Sequence, residues 1–139
     1  KSRERWGIET LVVQQDAFAF VEVIKRLQEG ACVALLIDRP PAGTGVDVTL
    51  CGQPFSASIS AAELARATGC AILPTAIVRS GDTYSAHILP EMAYERAALG
   101  SREAREKFTG EIMRAFEPLL TQYPDQWYHF VSIWPPARG

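Results

Sequence analysis

The chain has 139 residues, 47% hydrophobic and 22% charged, with 14 Lys and Arg against 16 Asp and Glu. A chain of this length buries roughly 70% of its unfolded surface in one domain, and the composition is globular, not fibrous or disordered. The net charge of −2 excludes a basic field for nucleic acid and a long-range pull toward an anionic membrane. Lys1, Arg3 and Arg5 read as a solvated terminus. No apolar run approaches the ~20 residues that span a bilayer. The chain carries no signal peptide and begins with Lys, so it is expected to be a soluble piece of something longer.

In chain order, residues 8–13 (IETLVV) predict a short strand, and Asp16 can cap the helix that follows. Phe20, Val21, Ile24 and Leu27 recur at helical spacing, and Gly30 suits the stop. Residues 31–37 (ACVALLI) are continuously apolar, as in a parallel strand covered on both faces, and Pro40-Pro41 ends it. In VDVTL, Val46, Val48 and Leu50 alternate with Asp47 and Thr49, predicting a strand with one wet face. Ser60 and Glu63 have capping-box spacing at the start of a helix that closes at Gly69.

Residues 71–78 (AILPTAIV) predict another buried strand, with Pro74 marking an edge or bulge. A turn at Ser80-Gly81-Asp82 leads into TYSAHIL, which alternates again. Ser101 can cap a long helix striped by Phe108, Ile112, Phe116 and Leu119, strained at Gly110 and bent near Pro118. The tail PDQWYHFVSIWPP is aromatic-rich. The order predicts a single α/β domain over 1–139, its mixed, mostly parallel sheet flanked by helices.

Familiar active-site motifs are absent. His87 and His129 are far apart and outside any Cys/His cluster, so each reads as structural and no metal site is predicted. Cys32, Cys51 and Cys70 form no CxxC and read as buried, reduced thiols of a cytosolic protein. No GxSxG elbow is present, and Gly43-Thr44-Gly45 lacks the rest of a phosphate loop. One feature remains: a buried strand delivering Asp38-Arg39 into a Pro/Gly loop is how α/β sheets present polar groups to ligands. Arginine suits phosphate because its rigid fork makes two charge-assisted hydrogen bonds. An Asp–Arg pair that merely anchors the loop accounts for the same residues.

Gly30, Asp38-Arg39, Gly45, Cys51-Gly52 with Pro54, Leu64-Ala65 with Gly69, Pro74, Pro90 and Pro124-Asp125-Gln126-Trp127 follow one another in a familiar order. In that order the chain resembles the C-terminal half of the lipid A biosynthesis (lauroyl/myristoyl) acyltransferase family, within the lysophospholipid acyltransferase superfamily. The resemblance implies an incomplete half of an acyltransferase fold. It also implies acyl transfer from acyl carrier protein or coenzyme A to a lipid acceptor at the cytoplasmic face of the bacterial inner membrane. Substrate contact is implied at Asp38, Arg39, Gly45 and Phe55, with Arg39 holding the acceptor's phosphate or head group.

Two departures stand out. The turn carries Leu50-Cys51 where the family has aromatics, and the family's His-x4-Asp/Glu motif is not completed by His87 or His129, each followed five residues later by Met92 or Trp134. The chain is therefore expected to hold no catalytic residue, metal or cofactor, and to lack the membrane-anchoring N-terminal half. An exposed sheet edge is expected to allow a dimer. A non-catalytic binding or scaffold module that keeps the fold is the alternative.

Overall fold

The computed structural model describes residues 3–11 and 17–127. They gather into two compact units, residues 1–34 and 35–139.

In the first unit a 3-10 turn, Glu4–Trp6, precedes helix α1, Ala17–Gln28. The helix stops where predicted. Gly30 has φ +88°, its N–H reaches Leu27 O and the Ala31 N–H reaches Arg26 O, the paired bonds of a Schellman ending. The apolar stripe is shifted from the expected one: Val23 is buried, whereas Val21 is 61% exposed. Residues 8–11 form no strand, and residues 12–13 with Asp16 lie outside the described residues. Arg26 pairs with Glu22 one turn earlier in α1 at 3.0 Å and ties the helix to Glu9 at 3.2 Å.

The second unit is built on two hairpins. Strands β1 (Val46–Leu50) and β2 (Gln53–Ala57) pair antiparallel, Val48 opposite Phe55 and Leu50 opposite Gln53. The alternation of VDVTL predicts the burial: Val46, Val48 and Leu50 face the core while Asp47 and Thr49 are exposed. Strands β3 (Thr75–Ser80) and β4 (Thr83–Ile88) form the second antiparallel pair. The expected mostly parallel sheet is therefore not the architecture. Two-residue turns, Cys51-Gly52 and Gly81-Asp82, join consecutive strands, and such turns enforce antiparallel pairing, whereas parallel neighbours need a long crossover.

Residues 31–37 are a second correction: they form no strand, and Leu36 is 79% exposed. An apolar run records a demand for cover but does not specify a neighbouring strand. The Ser58 N–H donates to Ile37 O at 2.7 Å, joining the end of this run to the chain just past β2. Likewise β3 begins after Pro74 and is mostly exposed, with Val78 its buried residue. Cys32 and Cys51 are exposed and Cys70 is half-buried, so the thiols are free but not the buried set expected.

Helix α2, Ser60–Thr68, closes at Gly69 with φ +71°, as predicted. Its start is not a capping box. Ser60 is already inside the helix, and its N–H is taken by the Ser58 hydroxyl at 3.3 Å. Glu63 instead points away to Arg105 at 2.8 Å, because a tertiary guanidinium outcompetes a local amide. Helix α3, Arg102–Ala115, is capped by Ser101, which accepts from the Ala104 N–H at 3.1 Å. Pro118 does more than bend it: a new helix, α4 (Glu117–Gln122), starts around that proline, whose missing N–H costs least in a first turn.

Helix α3 binds two apolar clusters together. Met113 joins Val46, Val48, Leu50, Phe55 and Ala57, whereas Phe108 and Ile112 join Ala61, Ala62, Ala65 and Leu99. Ile37 and Ile59 pack against both clusters, making one continuous core.

Candidate functional site

Asp38 and Arg39 sit where the 31–37 run meets Pro40-Pro41. The chain then turns tightly: the Thr44 N–H and hydroxyl both donate to Pro41 O, at 3.0 and 2.8 Å, with Gly43 at φ +76°. A glycine at that third position is what a type II turn requires. Gly45 has a different reason. A Cβ there would collide with the Ser56 side chain and approach Pro40 Cγ to 2.9 Å, so the missing side chain lets the proline loop lie on β2. The Gly43-Thr44-Gly45 triplet is thus a packing turn.

From the far end of the sequence, a 3-10 turn at Pro124–Gln126 delivers two side chains to this region. The Trp127 indole N–H donates to Asp38 Oδ2 at 3.1 Å, joining residues 89 apart, and its ring packs on Phe55 with centroids 5.7 Å apart. Gln126 works in the manner of a short strand. Its Oε1 accepts the Arg79 N–H at 2.7 Å, and its Nε2 donates to Arg79 O at 3.0 Å. Arg79 is opposite Tyr84, one residue from the turn-flanking Ser80–Thr83 pair, so its backbone groups point away from β4.

Between these anchors lies a groove of about 240 Å³. It is lined by Leu35, Leu36, Ile37 and Asp38, by Thr75–Val78 of β3, by Phe116, Leu119, Leu120 and Tyr123, and by Gln126 and Trp127. Most of this surface is apolar, and among the described residues that line it Asp38 is the one carboxylate. Asp38 is 24% exposed and Arg39 51% exposed, with Arg39 Nε 4.0 Å from Asp38 Oδ2. Asp38 thus takes the indole N–H and faces the guanidinium, and Arg39 keeps half of its surface toward solvent.

Asp38 and Arg39 form an ion pair, with Arg39 Nε 4.0 Å from Asp38 Oδ2. Phe55 is only 4% exposed; it reaches the group through the Trp127 ring. Gly45 touches the same loop through Pro40. His87 packs on Tyr123 with centroids 5.7 Å apart, and His129 lies outside the described residues. Among the described residues no cluster of His, Cys, Asp and Glu could hold a metal ion, and no helix is long and apolar enough to cross a membrane.

From the sequence, Gln126 and Trp127 stand only in the family pattern and Leu119 only on the helix stripe, and Leu120 is given no role. The signal available was a proline followed by a Gln-Trp pair just past a helix. Partners 47 and 89 residues away leave no local periodicity to detect.

A family described as bacterial lipid A biosynthesis acyltransferase matches residues 1–135. Two phosphatidylinositol mannoside acyltransferases, from two strains of Mycobacterium tuberculosis, are each 26% identical to the chain over 133 residues. These alignments cover 95% of this chain and 40% of each relative, so the chain spans about two fifths of their length.

Proposed function

Because the chain belongs to the bacterial lipid A biosynthesis acyltransferase family, we propose that it is the C-terminal portion of an enzyme moving a fatty acyl group from a thioester to a lipid hydroxyl. The observation carrying this reading is the apolar groove that ends at Asp38, with the half-exposed guanidinium of Arg39 beside it. An apolar trough with one charged end matches an amphipathic ligand. Its volume of about 240 Å³ is below the usual drug-sized range of ~300–1,000 Å³, which suits part of an acyl chain better than a whole lipid.

In the proposed reaction an acceptor hydroxyl attacks the thioester carbonyl. The new ester C–O bond forms, the C–S bond breaks, and the hydroxyl proton passes by way of a general base to the departing thiolate. The donor is an acyl group on acyl carrier protein or coenzyme A. The acceptor is a lipid A precursor or a related glycolipid or phospholipid, a class that includes the mannosylated phosphatidylinositol in the relatives' name. Arg39 grips its phosphate or head group, and Gly45 and Phe55 shape the loop and wall behind it. The base is supplied by a His-x4-Asp/Glu pair outside residues 1–139, in a complete fold set on the cytoplasmic face of the inner membrane.

The test is acyl transfer by the full gene product with an acyl thioester and a lipid acceptor. Arg39→Ala removes a charge-assisted contact worth roughly 1.5–3 kcal/mol, so kcat/KM for the acceptor should fall about 10- to 150-fold. Arg39→Lys should recover only part, since an ammonium lacks the planar fork. Near-normal kinetics beside a lowered Tm would make Arg39 a loop anchor and remove the binding role. No transfer by the full product would favour the non-catalytic module.

A further inference from the structure

We infer that Trp127 is a positioning residue for Arg39, acting through Asp38: the indole N–H and the guanidinium share one carboxylate oxygen. Asp38 Oδ2 accepts from Trp127 Nε1 at 3.1 Å and lies 4.0 Å from Arg39 Nε. The inference rests on the reading of Arg39 as the group that holds the acceptor.

The chemistry follows from the order of strengths. A carboxylate beside an arginine is free to rotate and to pull the guanidinium close, turning its fork away from any ligand. The indole N–H donates to the same oxygen and fixes the carboxylate's rotamer. Arg39 is then oriented by that fixed charge, with half of its side chain exposed. The indole is itself immobilised on two sides. Its ring packs on the buried Phe55, and the adjacent Gln126 is hydrogen-bonded twice to the β3 backbone. The strand thus holds Gln126, the neighbouring indole holds the carboxylate, and the carboxylate aims the arginine.

The experiment compares Trp127→Phe, Asp38→Asn, the double variant and Arg39→Ala in the full gene product, with acceptor and donor varied separately. Trp127→Phe keeps an aromatic ring against Phe55 and deletes only the N–H donor. It should raise the acceptor KM about 10-fold, the loss expected for a hydrogen bond to a charged group. Its kcat and donor KM should stay within about twofold, the pattern of a lost binding contact. Asp38→Asn should raise the acceptor KM to a similar extent, and adding Trp127→Phe to it should change little more, because both act along one chain of contacts.

Additive effects in the double variant, or an unchanged acceptor KM in Trp127→Phe, would overturn the positioning role. If Trp127→Phe folds poorly, the Asp38→Asn acceptor KM decides alone: unchanged, it overturns the role. Should Arg39→Ala leave the acceptor KM unchanged, the underlying reading of Arg39 falls. A KM raised by Arg39→Ala but by neither of the others overturns the Trp127 inference alone.

Discussion

The Glu117 carboxylate accepts the backbone N–H of Cys51 at 2.7 Å, tying the first turn of α4 to the β1–β2 turn across 66 residues. That turn needs the tie. Cys51 has φ +50° and Gly52 φ +74°, so both central residues are left-handed, as in a type I′ turn. Cysteine has no side-chain acceptor to ease that conformation, unlike the Asn or Asp usually found there. Cys51→Asn or Cys51→Gly should therefore stabilise the fold by about 0.5–1 kcal/mol, read as a higher urea midpoint. Glu117→Ala should cost about 1 kcal/mol by the same measure.

Two glycines predict opposite outcomes for one substitution. Gly110 lies inside α3, and a Cβ there would sit 3.7 Å from Val48 Cγ1, an ordinary contact. Gly110→Ala should raise stability by about 0.5–1 kcal/mol, since alanine is the better helix former and fills available space. Gly45→Ala should lower it by about 1–3 kcal/mol, because the methyl meets Ser56 and the rigid Pro40 ring. Thermal melts of both variants check the pair; two changes of the same sign would contradict the close approach at Gly45.

Arg105 is 13% exposed and bonds at once to Glu63 (2.8 Å), Leu99 O (3.0 Å) and Gly100 O (2.9 Å). It ties α2 to the 3-10 turn Arg96–Gly100 and to α3. Removing one partner of such a pair strands the rest, so Arg105→Ala should cost about 2–4 kcal/mol, less than for a fully buried pair because Glu63 is 28% exposed. Arg105→Lys should recover only a minor part, as a single ammonium cannot serve all three oxygens.

Burial, with a smaller contribution from the Cys70 thiol, raises the Tyr94 hydroxyl above its ordinary pKa of 10.0. Its O–H donates to Cys70 O at 2.5 Å, a bond only the neutral form can make. A folded-state pKa above the unfolded one means this stabilisation is complete below pH ~10 and is lost as pH rises through the folded value. Phenolate absorbance should therefore show a late-titrating component from Tyr94, and stability should fall on that alkaline limb. Tyr94→Phe should abolish the late titration and flatten the limb. If the late phenolate persists in that variant, it belongs to another tyrosine.

The legible parts of the fold were those whose signal is local. The alternation of Val46, Val48 and Leu50, the Ser101 cap and the stops at Gly30 and Gly69 all depend on neighbours within a few residues. The capping box failed although its spacing was correct, because Arg105, 42 residues away, claims Glu63. The apolar run 31–37 was misread because hydrophobicity shows no pairing partner. Asp38 and Arg39 stood out as a charged pair after apolar residues, yet the indole that holds Asp38 could not be inferred from any spacing.

At Arg79 the outer edge of β3 is occupied by a side chain. An open strand edge offers unpaired N–H and C=O groups to any passing strand, and here one such pair is capped by the Gln126 amide. A second copy of the chain seeking to extend this hairpin at Arg79 must first expel that amide, losing two hydrogen bonds to form two. Gln126 thus acts as a gatekeeper against intermolecular strand addition. Substituting leucine for it would uncap that pair beside exposed Ile77, adding a free stretch of edge on which aggregation could start.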